Sequence, residues 1–252
     1  MRSYFILAFI FFVALYSCNN HKEQDLSFSI DEYNKLGMPD YSKVWSFKEY
    51  STTLVVLLNV KNEKPYSLPI KDSKKSGELF NRITNLENMQ FLKDNSLALH
   101  EKAHLVSAFL GVYEDFTDLY ANVLMKKQYY HRELLYLYIF GLNVTQKMLD
   151  LADEINESEI PADIAMQSGY KSIQGIYLSG LGQTLENQKY VSRYRKDDLD
   201  VLTDSISSSV RRNMSWFDQD MSEGLKQKMH AVMDSTSSEK IKTEYTNLID
   251  IL

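Results

Sequence analysis

The chain has 252 residues, of which 44% are hydrophobic and 25% charged, and its formal net charge is −6. Those proportions belong to a folded globular chain, and a mildly acidic balance without a basic block argues against nucleic acid as a partner and against docking on anionic headgroups. A single cysteine excludes an intrachain disulfide, so stability has to come from packing. Four prolines and nine glycines leave few turn points, which favours long helices over many short strands.

The first element is an apolar run from Tyr4 to Ser17 behind the basic Arg2. As a helix it spans roughly 21 Å, short of the ~30 Å hydrocarbon core of a bilayer, and it fits the core of a signal peptide. It ends in Leu15-Tyr16-Ser17-Cys18, with a leucine three positions before the cysteine and a small serine immediately before it. This stretch resembles the signal peptide and lipobox of bacterial lipoproteins, with Tyr16 bulkier than the residue usual there.

The resemblance implies removal of residues 1–17 and lipidation of Cys18 by a diacylglycerol thioether and an N-acyl chain of the palmitate class. It also implies attachment to the outer membrane of a bacterial envelope; two or more acyl chains meet the requirement for stable anchoring. Residues 18–38 are then a lipidated cysteine and a polar tether, and 39–252 a single helical domain. Lys22-Glu23 with Asp25 is similar to the acidic surface-export signal of Bacteroidota lipoproteins, and leaves the periplasmic and the surface-exposed face both open.

Ser46-Phe-Lys-Glu49 has the spacing of a capping box and opens a helix through Val60. Lys61 to Lys71, with Pro65 and Pro69, reads as a loop, and a second helix runs from Asp72 or Ser73 to about Asn88. A third covers about Leu97 to Met125, and a fourth Glu133 to Ile155, apolar all round in its first half and so expected at the centre of a bundle. Pro161 opens a fifth helix to about Lys189. It carries the small residues Ser168, Ser172, Gly175, Ser179 and Gly182 on one stripe, which points to close approach of another helix, the alternative being a groove for a ligand or partner. Asp197-Asp198 starts a sixth helix to about Phe217, and two more, Ser222–Met233 and Ser238–Ile251, close the chain.

The chemistry-bearing motif is His100-Glu101-Lys102-Ala103-His104. In zincin metalloproteases two histidines one helical turn apart bind Zn²⁺ while the intervening glutamate is general base. Here Lys102 follows the glutamate where an apolar residue is usual, and Ser107 and Leu110 stand where the extended zincin pattern has glycine and histidine. On a helical wheel His100 and His104 share a polar stripe with Ser107, Gly111, Glu114, Asp118 and Asn122, opposite Leu105, Phe109, Val112, Tyr113, Phe116 and Tyr120. A zinc site needs a further ligand from another helix, for which Glu133, Asp150 and Asp153 are the candidates.

The reading is an all-α, multi-helix bundle of long, mostly antiparallel helices, lipid-anchored through Cys18, acting as a noncatalytic interaction, scaffold or accessory module with a protein partner in the envelope. No cofactor follows from it. The alternatives are a membrane-tethered zinc hydrolase, with His100 and His104 as ligands and Glu101 as base, and a small-ligand pocket in the bundle lined by tyrosines such as Tyr136, Tyr138, Tyr170 and Tyr177.

Overall fold

The structure, a computed structural model, describes residues 25–121, 129–167, 169–188 and 195–252. The segment read from sequence as a signal peptide and lipobox, Cys18 included, lies outside them. The described chain is an all-α bundle, without strands among those residues.

Its helices are α1 (Ile30–Lys35), α2 (Phe47–Glu63), α3 (Gly77–Ile83), a 3-10 stretch (Leu86–Lys93), α4 (Leu99–Ala121), α5 (His131–Asn156), α6 (Pro161–Gln167), α7 (Tyr170–Gln188), α8 (Lys196–Asn213), a 3-10 turn (Met214–Trp216), α9 (Gln219–Ser235) and α10 (Glu239–Ile251). No helix among the described residues is long and apolar enough to cross a membrane.

Local chemistry sets most of the helix starts. Ser46 accepts from the Glu49 amide while Glu49 reaches back to the Ser46 N–H at 2.8 Å, a complete capping box. Ser29 and Glu32 repeat the pattern at α1. Asp197 and Asp198 occupy the first turn of α8 and Arg211 and Arg212 its last, both signs on the favourable end of the helix dipole.

Packing divides into two apolar clusters. The first gathers α1 to α4 against one side of α5, with Tyr50 stacked on Phe109 at 4.3 Å between ring centroids and Phe109 edge-on to Phe140 at 6.2 Å. The second gathers α7 to α10 against the other side, around Leu135, Leu142, Leu149, Tyr177, Ile206 and Met229. Because α5 serves both clusters, its first half is apolar nearly all round.

Three expectations change. Residues 25–38 are no free tether: Tyr33 is fully buried and its hydroxyl donates to the Ser67 carbonyl, while the Phe28 and Ile30 amides donate to the Ser67 and Lys75 carbonyls at 3.3 and 3.1 Å. Phe28, Ile30 and Met38 pack with Tyr33 on the first cluster, and Asp25 accepts from the Ser73 hydroxyl at 2.6 Å. The helix expected from Asp72 starts only at Gly77 and yields to a 3-10 stretch at Leu86. The helix expected from Pro161 to Lys189 is two, with Gly169 between them offering its carbonyl to the Ser172 and Ile173 amides that begin α7.

Tyrosine hydroxyls satisfy the backbone of the loop before α3. Tyr130 accepts from the Leu68 amide at 3.0 Å and donates to the Pro65 carbonyl at 3.2 Å, and Tyr120 donates to the Pro69 carbonyl at 2.9 Å. Buried loop backbone needs such partners.

Candidate functional site

The His-Glu-Lys-Ala-His motif forms the first turn of α4. Ala98 precedes the helix, and its backbone N–H donates to the Glu101 carboxylate at 2.8 Å. Glu101 thus does at α4 what Glu49 does at α2, in the half of a capping box that the glutamate supplies. His104 and Glu101 are exposed, and Ser107, Gly111, Glu114 and Asp118 are exposed along the same stripe, while Phe109, Phe116 and Tyr120 are buried.

His100 has a partner that the sequence did not suggest. Its Nδ1 lies 3.2 Å from Oδ1 of Asp163 on α6, whose carboxylate is fully buried while the imidazole is 33% exposed. The other carboxylate oxygen accepts from the Ser158 hydroxyl at 2.7 Å. These bonds, the serine first and the histidine after it, hold the Asp163 carboxyl below its ordinary value against the opposing effect of desolvation. An ionised acceptor at Nδ1 selects the Nδ1–H tautomer and leaves Nε2 with its lone pair. The nearest sequence signal was the Ser158-to-Asp163 approach to Pro161, which marks a helix start but not a partner 63 residues away.

The third-ligand candidates are employed elsewhere. Glu133 is buried and accepts from the Lys71 amide at 2.9 Å; burial raises its carboxyl above the usual range in spite of that bond. Asp150 takes the Arg212 guanidinium at 2.7 Å and the Gln146 amide at 3.0 Å. Among the described residues no three His, Cys, Asp or Glu side chains converge on a point that could hold a metal ion, so Asp153 does not complete the pair either.

A polar network joins the two apolar clusters beside Glu133. Arg132 donates to both oxygens of the buried Asp198, Nε to Oδ2 at 2.7 Å and Nη2 to Oδ1 at 2.9 Å, and Tyr136 donates to Oδ1 at 2.8 Å. Burial alone would raise the Asp198 carboxyl, but Arg132 and Tyr136 outweigh it and hold it low. Asp72 bridges Arg132 to Arg195, and the Lys71 ammonium sits 4.2 Å above the Tyr136 ring. Burial, with Asp198 as acceptor, pushes the Tyr136 phenol up to about 12.

Several concavities open on the described surface, among them a larger groove of about 960 Å³ along the 3-10 stretch Leu86–Lys93 and a cleft of about 360 Å³ between α4, α5 and α7. Tyr113, Glu114 and Asp118 line one wall of the cleft, Tyr138 the floor beside Gly141, and Ser179 and Gln183 the other wall. Among the described residues that line it there is no lysine, arginine or histidine. Gly141 is what admits Tyr113, since a Cβ at 141 would run into the Tyr113 hydroxyl.

Of the tyrosines named from sequence, Tyr138 lines this cleft. Tyr136 belongs to the Asp198 network, and Tyr177 is buried, bonded to the Ser209 hydroxyl at 2.8 Å. The Tyr170 side chain lies outside the described residues. Tyr113 was assigned to the core face, and the glycine inside the apolar run of α5 was the available signal that a side chain crosses there.

The small-residue stripe of α7 receives a neighbour only at Gly182, where a Cβ would stand 3.3 Å from the Lys228 side chain. Ser172, Gly175 and Ser179 are exposed, contrary to the expectation of helix packing, and Ser168 lies outside the described residues. Small side chains permit close approach without rewarding it, and the apolar face of α7, with Tyr177, Leu181 and Leu185, turns toward the second cluster instead. No protein-family model matches the chain, and neither does any curated protein or solved structure.

Proposed function

We propose that the chain is a lipid-anchored protein of the bacterial outer membrane, held through Cys18, whose helical domain is a noncatalytic interaction or accessory module. The cleft between α4, α5 and α7 is its binding face. The observation that carries this reading is the cleft's combination of two tyrosines, two carboxylates and polar small residues in a preformed concavity. Glu101 supports it, because the carboxylate that a hydrolase would need as base is engaged with the Ala98 amide.

The partner it fits is a protein that presents a basic or hydroxyl-bearing segment. A small polar ligand is the second reading, favoured by a volume of about 360 Å³, within the range of small-molecule sites.

Site-specific photocrosslinking in cells tests the proposal. A crosslinker at Ser179 should give a defined adduct in the outer-membrane fraction, one at the exposed Lys48 on α2 should not, and Cys18→Ser should release the protein and abolish the adduct. An adduct unaffected by Cys18→Ser, or equal yields from Ser179 and Lys48, would refute it. A hydrolytic activity lost in Glu101→Gln would instead favour the zinc hydrolase.

A further inference from the structure

The His100 environment has the parts of a metal-capture site that is not a hydrolytic one. His100 and His104 stand at i and i+4 on the exposed stripe of α4, where side chains approach to ~5–6 Å between Cβ atoms, a span that two Nε2–metal bonds of ~2.0–2.1 Å can close. Nδ1 of His100 is occupied by Asp163 at 3.2 Å, and Asp163 is itself fully buried and bonded to Ser158 at 2.7 Å. That is the carboxylate–histidine arrangement which, at metal sites, fixes the ring and directs Nε2 outward. Glu101, the residue that the zincin pattern would use to activate a bound water, is turned back to the Ala98 amide.

We propose that His100 and His104 bind one divalent ion of the zinc and copper class through Nε2, with Asp163 as the outer-shell carboxylate and water completing the coordination. The site captures metal without hydrolysing anything. Its structural consequence lies in α6: the bound ion fixes His100, His100 fixes Asp163, and the seven-residue α6, with its exposed Ile164 and with Ile160 exposed just before it, is tied more firmly to α4. By linkage, docking of α6 and metal binding strengthen each other. The proposal is independent of the α4/α5/α7 cleft.

The test is calorimetric titration of the chelator-stripped full-length chain with Zn²⁺ and Cu²⁺, read together with hydrogen exchange of residues 158–167. One ion per chain is expected, copper tighter than zinc. His104→Ala replaces an exposed residue, so it keeps the fold, and it should weaken binding by more than the roughly 10–100-fold expected for Asp163→Asn, whose loss is that of an outer-shell partner. Zinc should slow exchange in 158–167 in the wild type and not in His104→Ala. Equal isotherms for wild type and His104→Ala, or unchanged affinity in a folded Asp163→Asn, would overturn the site. Binding without slowed exchange would overturn the coupling to α6.

Discussion

Replacing Gly141 by alanine should destabilise the protein, against the usual direction of such a change. Glycine within a helix costs about 1 kcal/mol relative to alanine, so Gly141→Ala would ordinarily be a gain. Here the new Cβ would overlap the Tyr113 hydroxyl and reach 3.0 Å from its ring carbon Cε1. The Tyr113 ring stands edge-on to Phe140, with centroids 5.9 Å apart, so it cannot swing aside without losing that contact. Overpacking of this kind costs about 1–3 kcal/mol, which leaves a net loss of roughly 0–2 kcal/mol after the propensity gain. A double-mutant cycle separates the two effects. In a Tyr113→Ala background the Cβ enters vacated space and Gly141→Ala should stabilise by about 1 kcal/mol, giving a coupling of about 1–3 kcal/mol. Urea unfolding followed by circular dichroism measures all four corners. If Gly141→Ala stabilises the wild type by the full propensity term, with no coupling to Tyr113, the account of how the cleft is built fails.

Gly175 is exposed in α7 with nothing near an added Cβ, so Gly175→Ala should raise stability by about 1 kcal/mol in the same assay. Asp198→Ala leaves Arg132 and Tyr136 without their shared acceptor, and breaking a buried pair of this kind should cost about 3–5 kcal/mol. The acid limb follows from the same group. Asp163 and Asp198 are held below their ordinary value of 3.8, so their contribution is present above that pH and is lost as pH falls through the folded values; Asp198→Asn should flatten this loss in a pH series of urea midpoints. Glu133 runs the other way: raised above its ordinary 4.5, it favours the native state at low pH and disfavours it as pH rises from 4.5 through its folded value. Glu133→Gln, whose amide oxygen can still accept from Lys71, should therefore be better tolerated at pH 7 than at pH 4, and the reverse order would refute its burial as the cause. Glu101→Ala should cost about 1 kcal/mol, as loss of a helix cap does, wherever the metal titration falls.

What could be read in the chain was what local pattern controls. Ser46 with Glu49 announced α2, the apolar run after Glu133 announced the central helix, and the wheel of α4 separated Phe109 and Phe116 from the histidine stripe. The same capping spacing at Ser29 and Glu32 stands in polar surroundings that give it no apolar periodicity, and only the pocket that receives Tyr33 reveals why that stretch folds. Asp163 was out of reach for a different reason. Its meaning depends on α6 lying across the start of α4, a long-range placement that no spacing in the sequence encodes. Asp198 likewise reads as a helix-dipole residue until Arg132 and Tyr136 are brought to it. Glu101 was legible as part of a catalytic motif, and only the start of α4 at Leu99, with the Ala98 N–H on its carboxylate, makes it the third residue of the helix.

The position of α5 between two apolar clusters bears on how the chain can be divided. Each cluster closes only by covering one side of His131–Asn156, so neither group of helices has a complete interior once that segment is taken away. Fragments joined near residue 160 should therefore complement each other rather than fold separately, with the piece that carries α5 offering an open apolar flank to the other. Insertions and new termini belong in turns such as 236–238, between α9 and α10, and recombination that imports half of this protein into another would have to import the shared helix with it.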